Sequence, residues 1–107
     1  MSKRPDRAAA RVFSALGDPT RLSVVRKLGD APQSATALSG GARVTRQAIA
    51  KHLRVLEGAG LVTHHKRGRE VLYALRPERL DDARAFLDAI SAGWDRALER
   101  LRAMVEE

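Results

Sequence analysis

Between Val44 and Leu61 the chain reads VTRQAIAKHLRVLEGAGL, and its apolar residues recur at steps of three and four. Ile49, Leu53, Leu56 and Ala59 therefore fall on one face of a helix. Thr45 is a good N-cap, Val44 and Ile49 can form a hydrophobic staple, and Gly60 supplies a left-handed stop. The opposite face carries Arg46, Gln47, Lys51 and Arg54. Upstream, a first helix runs from Asp6 to Leu16 with Ala9, Val12, Phe13 and Leu16 on one side and Gly17 as its stop. Asp18 caps a second helix whose first position is Pro19, where the missing N–H costs nothing. Leu22, Val25 and Leu28 line its inner face, and Gly29 ends it. Residues before Asp6 read as a frayed basic terminus. A linker, DAPQ, then leads to a short helix capped by Ser34 and carrying Leu38, followed by a turn over residues 40–43. Two short helices about a Gly-containing turn make a helix-turn-helix over residues 34–59.

After Gly60 the period changes from 3.6 to 2. LVTHH at 61–65 and VLYAL at 71–75 read as two strands of a hairpin spanning residues 61–76. Its tip holds Lys66, Arg67 and Arg69, which fits a "wing" set against flanking phosphates. The competing reading is a charged edge that only keeps the hairpin soluble. From 78 to 105 a last helix carries Leu80, Ala83, Leu87, Ile90, Trp94, Ala97, Leu101 and Met104 in an a/d seam. That seam is about 36 Å long at 1.5 Å per residue. One small domain cannot cover it, so the expected partner is a second copy of the chain, against which Val12 and Phe13 of the first helix also pack.

Composition narrows the classes. At 107 residues the expectation is one domain, mainly α with a small β-hairpin. Hydrophobic residues are 44% and charged residues 31%, values of a folded chain. No apolar run is long enough for a membrane span and no signal-peptide core is evident, so the expected setting is the cytoplasm, with no membrane partner. Cysteine is absent, which removes disulfides and thiolate chemistry. The formal charge is +7, concentrated in the middle: seven Lys or Arg against one acid lie between Arg43 and Arg69. The segment from Pro77 onward has eight acids against five Arg. A concentrated cationic patch is the electrostatic footprint of nucleic-acid binding. A helix with amide and guanidinium groups on one face suits the major groove of double-stranded DNA.

The strings ALGDPTRLSVVRKL at 15–28, VTRQAIAKHLRVLEGAGLV at 44–62 and GREVLYAL at 68–75 together resemble the ArsR/SmtB-type winged-helix transcriptional regulators. GWDRALERL at 93–101 is similar to a subgroup with Trp and Asp in the last helix. The resemblance implies a homodimer joined through the first and last helices, binding a pseudo-palindromic operator and usually repressing. It puts base-reading positions on Arg46, Gln47, Ala48 and Lys51, after the Thr45 cap. His52 matches the family's usual His, Arg54 a phosphate-side position and Arg69 the usual wing arginine. Gln47 can bond adenine in bidentate fashion, and Arg46 or Lys51 can meet guanine O6 and N7, though each could instead contact only phosphate.

The chain departs from the family's metal sensors. Ser34 and Thr36 stand where those proteins carry two cysteines, and the last helix contains no histidine. Hydroxyls are poor ligands for soft ions, so neither a metal nor another cofactor is expected, and an atypical metal-responsive repressor is the weakest alternative. His64 and His65 alternate along a strand and point to opposite faces. No nucleophile, phosphate loop or metal set supports an enzyme. Two rivals remain: a non-specific architectural DNA binder, which would not need the amide of Gln47, and a protein-recruiting module, which would leave the cationic wing unexplained. An inducing small molecule or protein has no signature in the sequence.

Overall fold

The computed structural model describes residues 4–40 and 44–106. Residues 1–3 of the basic terminus expected before Asp6, and residues 41–43 of the turn expected at 40–43, lie outside them. Arg4 and Pro5 already belong to α1 (Arg4–Leu16). Three further helices start on side-chain caps, as their sequences require. The Asp18 carboxylate accepts the Arg21 N–H at the start of α2 (Pro19–Asp30). Ser34 Oγ accepts Ala37 N–H for α3 (Ala35–Ser39), and Thr45 Oγ1 accepts Ala48 N–H at 3.0 Å for α4 (Arg46–Gly58). Each bond satisfies one donor that a helix N-terminus otherwise leaves bare.

The end of α4 is a Schellman stop. Gly60 has φ +79°, Gly60 N–H donates to Glu57 O, and Leu61 N–H donates to Leu56 O. The matching apolar contact is between Leu56 and Leu61, both fully buried. The chain then enters β2 (Val62–Arg67) and returns as β3 (Glu70–Leu75), paired from Val62↔Leu75 to Arg67↔Glu70. Gly68, at φ +64°, occupies the first of the two loop positions, where a II′ hairpin reserves a place for glycine. The strands are longer than the sequence pattern suggested, because the cationic residues Lys66 and Arg67 continue the ladder.

A third strand was not foreseen. Gln33, read as the end of the linker, and Ser34, read as the cap of α3, also form β1 and pair antiparallel with Tyr73 and Leu72, giving the order β1-β3-β2. Two residues cannot display a period of two, so no pattern marks them. The Gln33 side chain donates to Lys27 O at 3.0 Å and ties this strand to α2.

The core gathers Val12 and Ala15 from α1, Val24 and Leu28 from α2, Leu38 from α3, and Ile49, Leu53 and Leu56 from α4. Leu61, Val62 and Ala83 close it from the hairpin base and the last helix. The inner face of α2 differs from the sequence expectation: Leu22 is 50% exposed and Val24 is buried in its place. Arg21 shares the inward phase. Its Nε–H donates to Ala15 O, so a charged residue holds an inward phase that a hydrophobicity pattern assigns to apolar side chains. Gly29 also lies within α2, which runs on to Asp30.

α5 (Pro77–Glu106) is one continuous helix of 30 residues, about 45 Å long at 1.5 Å per residue. Its first half packs on α1, where the rings of Phe13 and Phe86 sit 5.8 Å apart. Beyond Phe86 its apolar seam has little cover from its own chain: Trp94 is 65% exposed and Met104 73%. Among the described residues no helix is long and apolar enough to cross a membrane.

Candidate nucleic-acid interface

The caps and core contacts of α4 decide what it can show to a ligand. Ile49, Leu53 and Leu56 anchor one face in the core, so Arg46, Gln47, Lys51 and Arg54 are exposed on the other. Thr45 is exposed at the helix tip and Ala48 is half-buried beside it. No long side chain intervenes at Ala48 or Ala50, so backbone or base edges can approach closely. The arrangement offers an amide, three cations and a helix N-terminus on one exposed ridge, which suits base edges and phosphates alike.

The hairpin adds a second cationic element. Lys66, Arg67 and Arg69 are all exposed at its tip. Arg46 of α4 and Arg69 of the hairpin line one concavity of about 620 Å³, whose other walls include Thr36, Ala50, Val71 and Tyr73. The structure thus brings Arg46 and Arg69 to one groove. Tyr73 carried no site assignment in the sequence. It is half-buried in β3, where its ring faces His64 at 5.6 Å. An aromatic in a strand reads first as core, so only the fold could place it at the groove.

His52 sits apart from the exposed ridge. It is half-buried between α4 and the start of α2, with Nδ1 3.3 Å from Arg21 Nη1 and 3.8 Å from the Asp18 carboxylate. In this position it joins α4 to α2. The Arg21 backbone N–H holds the Asp18 carboxyl below its usual range, and the His52 and Arg21 side chains add to that effect against partial desolvation. His64, on β2, bonds the Glu57 carboxylate near the end of α4 and so ties that helix to the hairpin. His65 is exposed on the neighbouring position.

Among the described residues no three His, Cys, Asp or Glu side chains converge. Ser34 instead spends its hydroxyl on capping α3, and Ser39 Oγ–H donates to Thr36 O. These donors do not fit the soft-metal sites of the metal-sensing regulators.

The residues assigned to subunit contact divide in two. Val12 (0% exposed) and Ala83 (7%) are consumed by the chain's own core and offer no surface to another chain, which corrects that part of the expectation. Both belong to the buried cluster of their own chain. Phe13, Leu80 and Ala97 are half-buried, whereas Leu87, Ile90, Trp94, Leu101 and Met104 remain exposed.

Comparison with known proteins agrees with this geometry. A helix-turn-helix domain family matches residues 16–65, from the end of α1 into the wing. An ArsR-like transcriptional regulator from Rhodococcus sp. RHA1 superposes with TM-score 0.79 and 41% identity, covering 92% of this chain and 93% of that one. The chain belongs to the ArsR/SmtB family. An ArsR/SmtB relative in Mycobacterium tuberculosis, the HTH-type transcriptional repressor SmtB, is 36% identical over 89 residues. That match takes in 82% of this chain but spans only 64% of the repressor's length. A further family likeness is the homodimeric winged helix-turn-helix DNA-binding domain of a possible ArsR-family regulator from Mycobacterium bovis. It has TM-score 0.66 and 25% identity, covering 94% of this chain and 93% of that one.

Proposed function

We propose that this ArsR/SmtB protein is a sequence-specific DNA-binding transcriptional regulator, acting as a repressor and binding a pseudo-palindromic operator as a homodimer. One observation carries the reading: α4 is buried along one side and presents Arg46, Gln47 and Lys51 beside its capped N-terminus on the other. Gln47 is the residue for adenine, through paired bonds to N6 and N7, and Arg46 or Lys51 for guanine O6 and N7. Arg54, Lys66, Arg67 and Arg69 meet phosphates and set the register without reading sequence. His52 positions α4 from behind rather than touching bases.

The homodimer is supported by the seam on α5. Leu87, Ile90, Trp94, Leu98, Leu101 and Met104 expose an apolar stripe larger than a monomer usually tolerates. The homodimeric relative makes a second copy the natural occupant. Two copies related by a two-fold axis read half-sites about 10–10.5 base pairs apart, or a multiple of that. Repression follows from occupancy of the operator, a reading supported by the relative named as a transcriptional repressor. The protein works beside the DNA it reads, in the cytoplasm, and no catalytic step is assigned to it.

The test is selection of bound fragments from a random duplex pool, followed by titration of the selected site at several salt concentrations. A two-fold symmetric site, with log affinity falling linearly in log salt, supports the reading. Recovery of unselected sequence at equal affinity would make the protein an architectural binder.

A further inference from the structure

The end of α4 remote from the DNA-facing ridge closes a cleft of about 260 Å³ between α1 and the first turn of α5. Three guanidinium groups line it, from Arg7, Arg11 and Arg79, against a single carboxylate among the described residues, Glu57. That carboxylate is already bonded to His64. Arg79 has one acidic neighbour, Asp82, at 3.4 Å on the surface, a pairing of little energetic weight. Among the described residues Arg7 and Arg11 form no salt bridge. Contact with the operator does not account for these cations. Glu57 lies about 16 Å along the helix axis from Arg46, at 1.5 Å per residue.

Two local features make the cleft suitable for an anion. A helix C-terminus normally repels negative charge through its bare carbonyls. Here the N–H groups of Ala59, Gly60 and Leu61 occupy the carbonyls of Val55, Glu57 and Leu56. The missing side chain of Gly60 also lets Arg79 lie across the floor, since a Cβ there would stand 2.9 Å from Arg79 Nε. Guanidinium forks match the oxygens of phosphate in bidentate geometry, and three of them favour a dianion over a monoanion. The volume is smaller than that of drug-sized pockets, which limits the ligand to an oxyanion with few atoms attached.

We propose that this cleft is a binding site for a small phosphate-bearing molecule, formed by Arg7, Arg11 and Arg79 over the Gly60 turn. The site does not depend on the DNA-binding reading and stands or falls without it. A dianion held there acts on the Glu57 carboxylate and, through its bond, on His64, so binding is visible at the His64 ring.

The experiment is an NMR titration of the full-length protein, without DNA, with inorganic phosphate and separately with glycerol 3-phosphate, at constant ionic strength. The Gly60 amide and His64 ring signals are followed. Saturable shifts at both groups are expected, with affinity weakened at least tenfold in Arg7→Gln and in Arg79→Gln, partly restored in Arg79→Lys, and unchanged in Arg96→Gln. Tighter glycerol 3-phosphate binding identifies an esterified ligand, and tighter inorganic phosphate the free ion. Linear shifts without saturation, or equal weakening by Arg96→Gln, overturn the site. So does loss of dimer mass in Arg7→Gln when the wild type binds neither probe, since Arg7 then serves the partner's acidic helix. Far-UV circular dichroism of each variant separates loss of the site from loss of the fold.

Discussion

Thr45 is where the stability of α4 and its exposure to DNA can be separated. Its hydroxyl is the one side-chain acceptor for the Ala48 N–H, at 3.0 Å. Thr45→Ala removes that acceptor and leaves a donor at the third helical position bare. Ala48 is only half-buried, so water reaches part of the way to the freed amide, and the cost belongs near the middle of the capping range, about 1 kcal/mol. In a domain of this size that corresponds to a fall in Tm of roughly 4–8 °C. Thr45→Ser and Thr45→Asp keep an acceptor and should melt near the wild type. DNA binding divides the same set differently. Serine should bind as threonine does, whereas aspartate puts a negative charge at the tip of the reading helix and should weaken binding to every sequence by tenfold or more, about 1.4 kcal/mol. Thermal melts at matched protein concentration, with anisotropy titrations on one labelled duplex, check both readouts. Unchanged melting in Thr45→Ala would refute the capping argument. Undiminished DNA binding in Thr45→Asp would show that this tip does not face DNA.

Three other outcomes follow from the geometry. Arg67→Ala at the hairpin tip should weaken cognate and random duplexes alike and lower the salt slope by about one; a loss confined to the cognate site would make the wing a reader of sequence. Leu101→Asp lies on exposed α5, away from the core, so the variant should stay folded and sediment as a monomer; an unchanged mass in analytical ultracentrifugation rejects the seam. Asp18→Asn retains a good N-cap but removes the charge beside Arg21 and His52. Because the Asp18 carboxyl is held below its ordinary value, its stabilisation is fully present above roughly pH 4 and is lost as pH falls through the lowered value. The melting gap between wild type and Asp18→Asn should therefore be full at pH 5 and close on further acidification; a gap that widens with acid contradicts this sign.

What could be read from sequence was local. The caps at Asp18, Ser34 and Thr45, the Gly60 stop and the anchor face of α4 depend on residues a few positions apart, and the structure has each in place. Contacts between distant segments were not legible. β1 exists only because Gln33 and Ser34 meet β3, and the inward place of Arg21 on α2 goes with its bond to a carbonyl of α1. Val12 and Ala83 show a related limit. A periodic apolar stripe announces burial without naming the surface that covers it, and for these two residues that surface is their own chain. His52 was assigned by resemblance to the DNA-facing set, yet its neighbours Arg21 and Asp18 belong to the scaffold behind α4. The exposed positions Arg46, Gln47, Lys51 and Arg54 needed no distant partner, since the buried phase of the same helix leaves them outward.

The most direct measurement compares Gln47→Ala with the wild type on the selected operator and on a scrambled duplex of equal length, at one fixed salt concentration. The account predicts a loss of about 1–3 kcal/mol on the operator and almost none on the scrambled duplex. Equal losses on both, or none on either, would contradict base reading by this helix.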